Sequence, residues 1–234
     1  MRLLSHPLTE RTPAYRDNPS PRIEATKTVA ADGNRSYSIT FGNHTGTHLD
    51  APAHFHQEGR PLGGLALDDL LFRHPALVDI PAGDDTLIEI DDFEPWLDRL
   101  AEADLLLVRT GYGALCRDSD PARYRHRGPG FAGPAAAWLR RRLPQLRALG
   151  MDFISAAAPA HPEAGRAFHL AALDEGRVRG RPSVSAPDAG RAVLLIEDMR
   201  LDPSLTDSDL GRVLVAPLWL SELDGAPVTV VAGL

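Results

Sequence analysis

With 234 residues, 25 Lys and Arg against 32 Asp and Glu, the chain is long enough for a full hydrophobic core and carries a formal charge of -7. That balance argues against a nonspecific nucleic-acid binder, which needs a dense basic face to displace counterions. One Cys excludes an intrachain disulfide framework and an all-Cys zinc site. No run approaches the ~18 apolar residues of a membrane span, and the opening MRLLSHPLTE lacks the apolar core of a signal peptide. The expectation is a cytoplasmic protein, folded as one domain over 1–234, with no membrane and no nucleic acid among its partners.

In chain order, Pro7, Pro13, Pro19 and Pro21 predict an extended arm over residues 1–22. A hairpin follows, with β-prone runs at 23–30 and 35–42 flanking Asp32-Gly33-Asn34, where Gly33 can take a positive φ. Further β-type runs lie at 76–80, 104–109, 151–155, 192–196, 212–216 and 227–232. Several are unbroken apolar stretches, as in strands covered on both faces. Helical patterns fall at 91–102, with Asp91 or Asp92 as cap, at 134–149, opened by Pro134 and closed by Gly150, and at 162–175. Pro144 should kink or shorten the second. Strands alternating with helices after a hairpin indicate an α/β fold, with mixed β-sheets and flanking helices.

The chemistry concentrates in His44-Thr45-Gly46-Thr47-His48-Leu49-Asp50-Ala51-Pro52-Ala53-His54-Phe55-His56. Nine His over 234 positions would put about half a His in a window of thirteen, and this one holds four. In a helix, Asp50 would sit ~240° round from His44, at ~100° per residue. In an extended chain, His44, His48, Asp50 and His54 share one side, because side chains alternate with a period of two. A straight strand would still separate positions 44 and 50 by ~20 Å, whereas ligands to one ion each lie ~2.0–2.2 Å from it. The chain must therefore curl, most cheaply at Gly46. The expectation is a bent segment after the 35–42 strand that presents two imidazoles and one carboxylate to a metal and leaves coordination positions for water. His54 is a further ligand or a general acid/base beside the ion.

This stretch resembles the signature of the metal-dependent cyclase superfamily, which includes bacterial kynurenine formamidase (arylformamidase) and isatin hydrolase. The likeness extends to Ser5-His6-Pro7-Leu8-Thr9 with Thr12-Pro13-Ala14-Tyr15, to Leu107-Val108-Arg109-Thr110-Gly111-Tyr112, and to Gly150-Met151-Asp152-Phe153-Ile154-Ser155. It continues through Glu197-Asp198-Met199 and the closing Gly225-Ala226-Pro227-Val228. The resemblance implies a swivelling β/β/α domain, a homo-oligomer (dimer or tetramer), and one or two divalent ions; the His and carboxylate donor set admits zinc, manganese, iron or nickel, with zinc or manganese preferred. The resemblance implies that His44, His48 and Asp50 hold the first ion, that Asp50 bridges to a second completed by His169 and Glu197, and that His54 donates and accepts the proton. His161 competes with His169 on sequence alone. The implied activity is hydrolysis of a small-molecule amide, formamide or cyclic amide, as in tryptophan catabolism. The alternatives are a lactone or cyclic-imide hydrolase of the same superfamily, or a metal-binding protein without turnover. Two departures bear on substrate: Arg177 to Gly190 is a longer Arg/Pro-rich stretch than in some formamidases, and Tyr15-Arg16 replaces an aromatic followed by Pro.

Two other signals carry less. Gly111-Tyr112-Gly113 follows a strand-like run but lacks the third glycine of a dinucleotide site. Phe55, Tyr112, Phe131, Trp138 and Trp219 are candidate walls of an aromatic pocket, with the core as their default place.

Overall fold

The structure, a computed structural model, describes residues 1–176 and 191–234; the Arg/Pro-rich stretch singled out above lies outside them. Among the described residues, thirteen strands form in chain order: β1 (Arg2–Leu3), β2 (Arg22–Lys27), β3 (Ser36–Thr40), β4 (His48–Asp50), β5 (Leu71–Phe72), β6 (Pro75–Asp79), β7 (Leu87–Ile88), β8 (Leu105–Arg109), β9 (Gly130–Phe131), β10 (Ala148–Met151), β11 (Leu194–Glu197), β12 (Val213–Pro217) and β13 (Gly225–Ala232). Nine of them make one mixed sheet in the order β5-β12-β13-β4-β11-β10-β8-β6, with β1 added beside β13. The β5, β12, β13 and β4 side is antiparallel, and β11, β10, β8 and β6 run parallel. β4 joins the two halves, pairing antiparallel with both β13 and β11.

The unbroken apolar runs are explained by this sheet. Leu106 and Val108 of β8 enter one core with Phe131, Phe168 and Leu195, while Leu105 and Leu107 enter a second core with Leu49, Ile196, Val213 and Val230. Alternating side chains thus fill both faces, as the period of two requires. The first core lies under the helices Ala135–Arg142 and Pro162–Ala172.

Several predicted elements are displaced. The 134–149 helix stops at Arg142, two residues before Pro144, and residues 148–151 form β10 instead. Pro144 cannot continue the helical hydrogen-bond ladder, and freeing the chain there lets the apolar run join the sheet. The strand expected at 151–155 therefore ends at Met151, and the next residues turn towards the site. The 91–102 pattern breaks into Ile90–Phe93, Glu94–Trp96 and Leu97–Leu100, with Pro95 in the middle turn. There Asp92 reaches back to accept the Glu89 N–H at 2.8 Å, so it closes the helix start from inside.

The hairpin forms, but its turn contains a helical segment, Val29–Asp32, capped by Thr28 and closed by Gly33 at φ 73°. The N-terminal arm is sewn into the sheet: Ser5 Oγ donates to the Val228 carbonyl at 3.0 Å and accepts from Val230 N–H at 2.8 Å. No helix among the described residues is long and apolar enough to cross a membrane.

Candidate metal centre

Three pieces of backbone build the site. Gly46, at φ 66°, turns the chain after the hairpin and delivers it into β4. Any side chain there would strain that backbone and meet Leu8 at 3.1 Å. Along β4, His48 and Asp50 point to one face and Leu49 to the other. Register then sets the third group: Glu197, last residue of β11, pairs with His48, and Leu195 with Asp50. The fourth comes from the helix Pro162–Ala172, which lies close because Gly165 has no Cβ; one built there would fall 2.2 Å from Ala157 Cβ. His44 and His54 flank β4 on either side.

The four buried groups converge. His48 Nε2 lies 3.4 Å from Asp50 Oδ1 and 3.3 Å from Glu197 Oε2. His169 Nε2 lies 3.3 Å from Glu197 Oε1 and 3.8 Å from Asp50 Oδ2. His44 Nδ1 is 2.7 Å from Asp50 Oδ1. Donors bound at ~2.1 Å around a tetrahedral ion sit about 3.4 Å apart, so these spacings suit shared cations. Asp50 Oδ2 is buried and makes no hydrogen bond, a costly state for a carboxylate oxygen unless a cation meets it. Two trios, His44-His48-Asp50 and Asp50-His169-Glu197, have donor atoms within reach of one ion, with Asp50 in both.

The outer contacts orient these donors. His48 Nδ1 donates to the Gly46 carbonyl at 2.8 Å and His169 Nδ1 to the Gly165 carbonyl at 2.7 Å, so both rings present Nε2 inward. Glu197 Oε1 accepts from Ala156 N–H at 2.7 Å and Ser155 Oγ at 3.2 Å. Those residues belong to the segment displaced from the expected strand.

Electrostatics in the metal-free protein reflect the crowding. Burial alone would raise the Glu197 carboxyl, but hydrogen bonds from His169 and His48 hold it well below the carboxylate range. Burial opposes charge on His48 too, yet Glu197 and Asp50 push its pKa up to about 9. Because that folded value exceeds the ordinary 6.5, the stability it contributes is complete below pH 6.5 and is lost as pH rises through about 9. Chelated protein should therefore lose thermal stability from pH 6.5 to 9 in a denaturation series. Metal affinity should strengthen over the same range, because the ligands must shed protons to bind. A midpoint independent of pH in the chelated protein would contradict this.

All six sequence-derived positions, His44, His48, Asp50, His54, His169 and Glu197, lie together. His161 does not: at the start of its helix, its Nε2 contacts the Asp85 carbonyl at 3.0 Å. Of the five aromatic candidates, only Phe55 borders the cluster, stacking on His169 at 4.5 Å. Tyr112, Phe131 and Trp138 pack in or against the first core, and Trp219 is half exposed on the loop before β13. Sequence reading missed Asp224, whose Oδ2 lies 2.7 Å from His54 Nδ1 and 3.1 Å from His44 Nε2. Its signal is faint, an Asp before the closing Gly-Ala-Pro-Val.

A mixed sheet with His and carboxylate donors at its parallel–antiparallel junction makes this an α/β protein with a candidate metal site. The cyclase family model matches residues 3–158, and the chain belongs to that family. A relative from Haemophilus influenzae, uncharacterised, is 31% identical over 118 residues, half of this chain and 82% of its own. Isatin hydrolase A from Labrenzia aggregata, solved bound to benzyl benzoate, has the same fold: TM-score 0.75, 18% identity, 98% of this chain and 91% of that one covered. A potential metal-dependent hydrolase with cyclase activity is 26% identical, with TM-score 0.69 over 98% of this chain and 94% of that one.

Proposed function

We propose that the protein is a metal-dependent hydrolase of small amides that cleaves a C–N bond in a formamide or cyclic amide, as an arylformamidase does. The observation that carries this reading is the orphaned Asp50 Oδ2 at the centre of three imidazoles and a second carboxylate. In it, His44, His48 and Asp50 would hold one divalent ion, and Asp50, His169 and Glu197 would hold another. The nitrogen and oxygen donor set suits zinc or manganese. When bound, such ions supply Lewis acidity, which lowers the pKa of water and offsets negative charge developing on a carbonyl oxygen.

The protein's own groups handle the proton. Water adds its oxygen to the carbonyl carbon and the C–N bond breaks. His54 accepts the water's proton at Nε2 and returns it to the departing nitrogen, so acid and amine form without net proton change. Three distances support this role: the His54 ring lies 4.0 Å from that of His44 and 6.1 Å from that of His169, between centroids, and its Nδ1 is 2.7 Å from Asp224 Oδ2. Phe55 and His169 form an apolar and aromatic edge against which a planar substrate can lie. The reading extends to a homo-oligomer, supported by the exposed Leu218, Trp219, Leu220 and Leu223 on one loop.

The fold shared with isatin hydrolase supports the cyclic-amide side of this reading, since isatin is a cyclic amide; the second reading is hydrolysis of a cyclic imide or lactone at the same site. A panel of N-formylated aromatic amines, isatin and lactones, assayed with zinc or manganese and again after chelation, separates the two. Chelator-sensitive turnover of a formamide supports the first, and turnover of lactones alone replaces it with the second. His54→Ala should retain its metal while kcat falls by about 100-fold or more. Wild-type turnover in that variant removes His54 from the reaction.

A further inference from the structure

We infer that Asp224 is a positioning residue that joins the metal centre to the proton-carrying histidine through one carboxylate oxygen, an inference that rests on the role proposed for His54. Asp224 immediately precedes β13 on a loop fastened at several points. Its own carbonyl accepts the Ala51 N–H at 2.8 Å, and Leu62 and Gly63 donate to the Leu223 and Ser221 carbonyls at 2.9 and 3.0 Å. The Asp224 backbone is thereby bound to the segment that leads from β4 to His54. Oδ1 takes the Asn43 side-chain N–H at 2.7 Å. Oδ2 is left facing His54 Nδ1 and His44 Nε2.

The chemistry follows from what a carboxylate can do. An ionised carboxylate only accepts, so His54 Nδ1 keeps its hydrogen whether the ring is neutral or charged. Nε2 is then the atom that gains and loses the proton, and the ring cannot flip without breaking a 2.7 Å contact. The same oxygen faces His44 Nε2, while His44 Nδ1 points at Asp50. A ligand histidine backed by a carboxylate on its far nitrogen is held in one tautomer and made more basic. One oxygen therefore sets the tautomer of a metal-side ring and of the neighbouring proton carrier. Gly225 shows how closely the turn is fitted: a Cβ there would come within 2.5 Å of His44 Cε1 and 2.8 Å of the Leu49 carbonyl.

A purely structural Asp224 would fasten the loop without governing either ring. The test uses zinc-loaded, ¹⁵N-histidine-labelled protein. In the wild type, long-range ¹⁵N–¹H spectra should show His54 protonated at Nδ1 with a free Nε2. A His54 protonated at Nε2 instead overturns the inference, and this measurement needs no variant to fold. Asp224→Asn, whose amide can present either oxygen or NH₂, should leave His54 in mixed tautomers. Its zinc affinity, read by competition with a chelating dye, should fall by about 10–100-fold with stoichiometry unchanged at saturation. On the substrate found by the panel, its kcat should fall in the same range while KM holds. Wild-type affinity and tautomer in Asp224→Asn overturn the inference. Loss of a whole zinc equivalent also overturns it, making Asp224 a ligand in the trio with His44 and His54. Should His54→Ala keep full turnover, the proton role fails, while the tautomer and affinity readings still decide what Asp224 does.

Discussion

Asp50→Asn is expected to leave a folded protein that no longer holds metal, its affinity for zinc or manganese reduced by more than ~100-fold and its turnover lost with it. Asp50 is the corner that the two candidate trios share. Its Oδ1 lies 2.7 Å from His44 Nδ1, and its Oδ2, without a hydrogen bond, lies 3.8 Å from His169 Nε2. An amide in its place brings NH₂ hydrogens to a position that needs a lone pair. It also removes one of the two buried negative charges that offset a divalent ion. Metal analysis gives the direct answer, and thermal denaturation gives a second one. A ligand present at 100 times its Kd stabilises by about 2.7 kcal/mol, or roughly 5–10 °C for a chain of this size. Chelator should lower the wild-type midpoint by that amount and leave Asp50→Asn unmoved. A full metal complement in the variant would take Asp50 out of the ligand set.

Asp198→Ala is expected to cost about 3–5 kcal/mol, lowering the melting midpoint by roughly 10 °C. Asp198 follows Glu197 directly and is buried, with φ 52°. Its carboxylate takes Arg117 Nε at 2.9 Å and Nη2 at 3.3 Å, and the Tyr124 hydroxyl at 2.8 Å. Its carbonyl accepts from Thr47 Oγ1 at 2.6 Å, next to His48. Removing the carboxylate leaves the buried Arg117, among the described residues, with the exposed Asp118 at 3.1 Å as its remaining ion-pair partner. Alanine also tolerates the left-handed backbone poorly, a strain of about 1–2 kcal/mol. Asp198→Gly separates the two causes, since glycine accepts the backbone but not the charge. If Asp198→Gly melts like the wild type, strain rather than the ion pair dominates. If both variants do, the buried pair contributes nothing.

How much of this was legible beforehand depends on the range of the signal. The His/Asp segment was readable because its chemistry is local: four His within thirteen residues, alternating with a period of two and broken by one glycine. The same holds for the apolar runs, since burial on both faces of a sheet leaves an uninterrupted stretch in any register. Pro144 shortens its helix as its missing N–H requires, and Pro95 divides the 91–102 pattern for the same local reason, whereas the start of β10 is decided by pairing with β8 and β11. Only the family resemblance separates His169 from His161 in the sequence. Eight positions apart, they differ in kind only once the helix packs, with one facing Glu197 and the other an exposed carbonyl.

The amino-acid order alone determined the donor types, the bend at Gly46 and the mixed α/β pattern, because each is written in neighbours a few residues apart. Only the folded chain decided that Glu197 stands opposite His48, that Ser155 and Ala156 brace it, and that Asp224 reaches both His44 and His54. Those contacts span 41 to 180 positions or depend on strand register. Register is a property of pairing between segments, and no single segment encodes it.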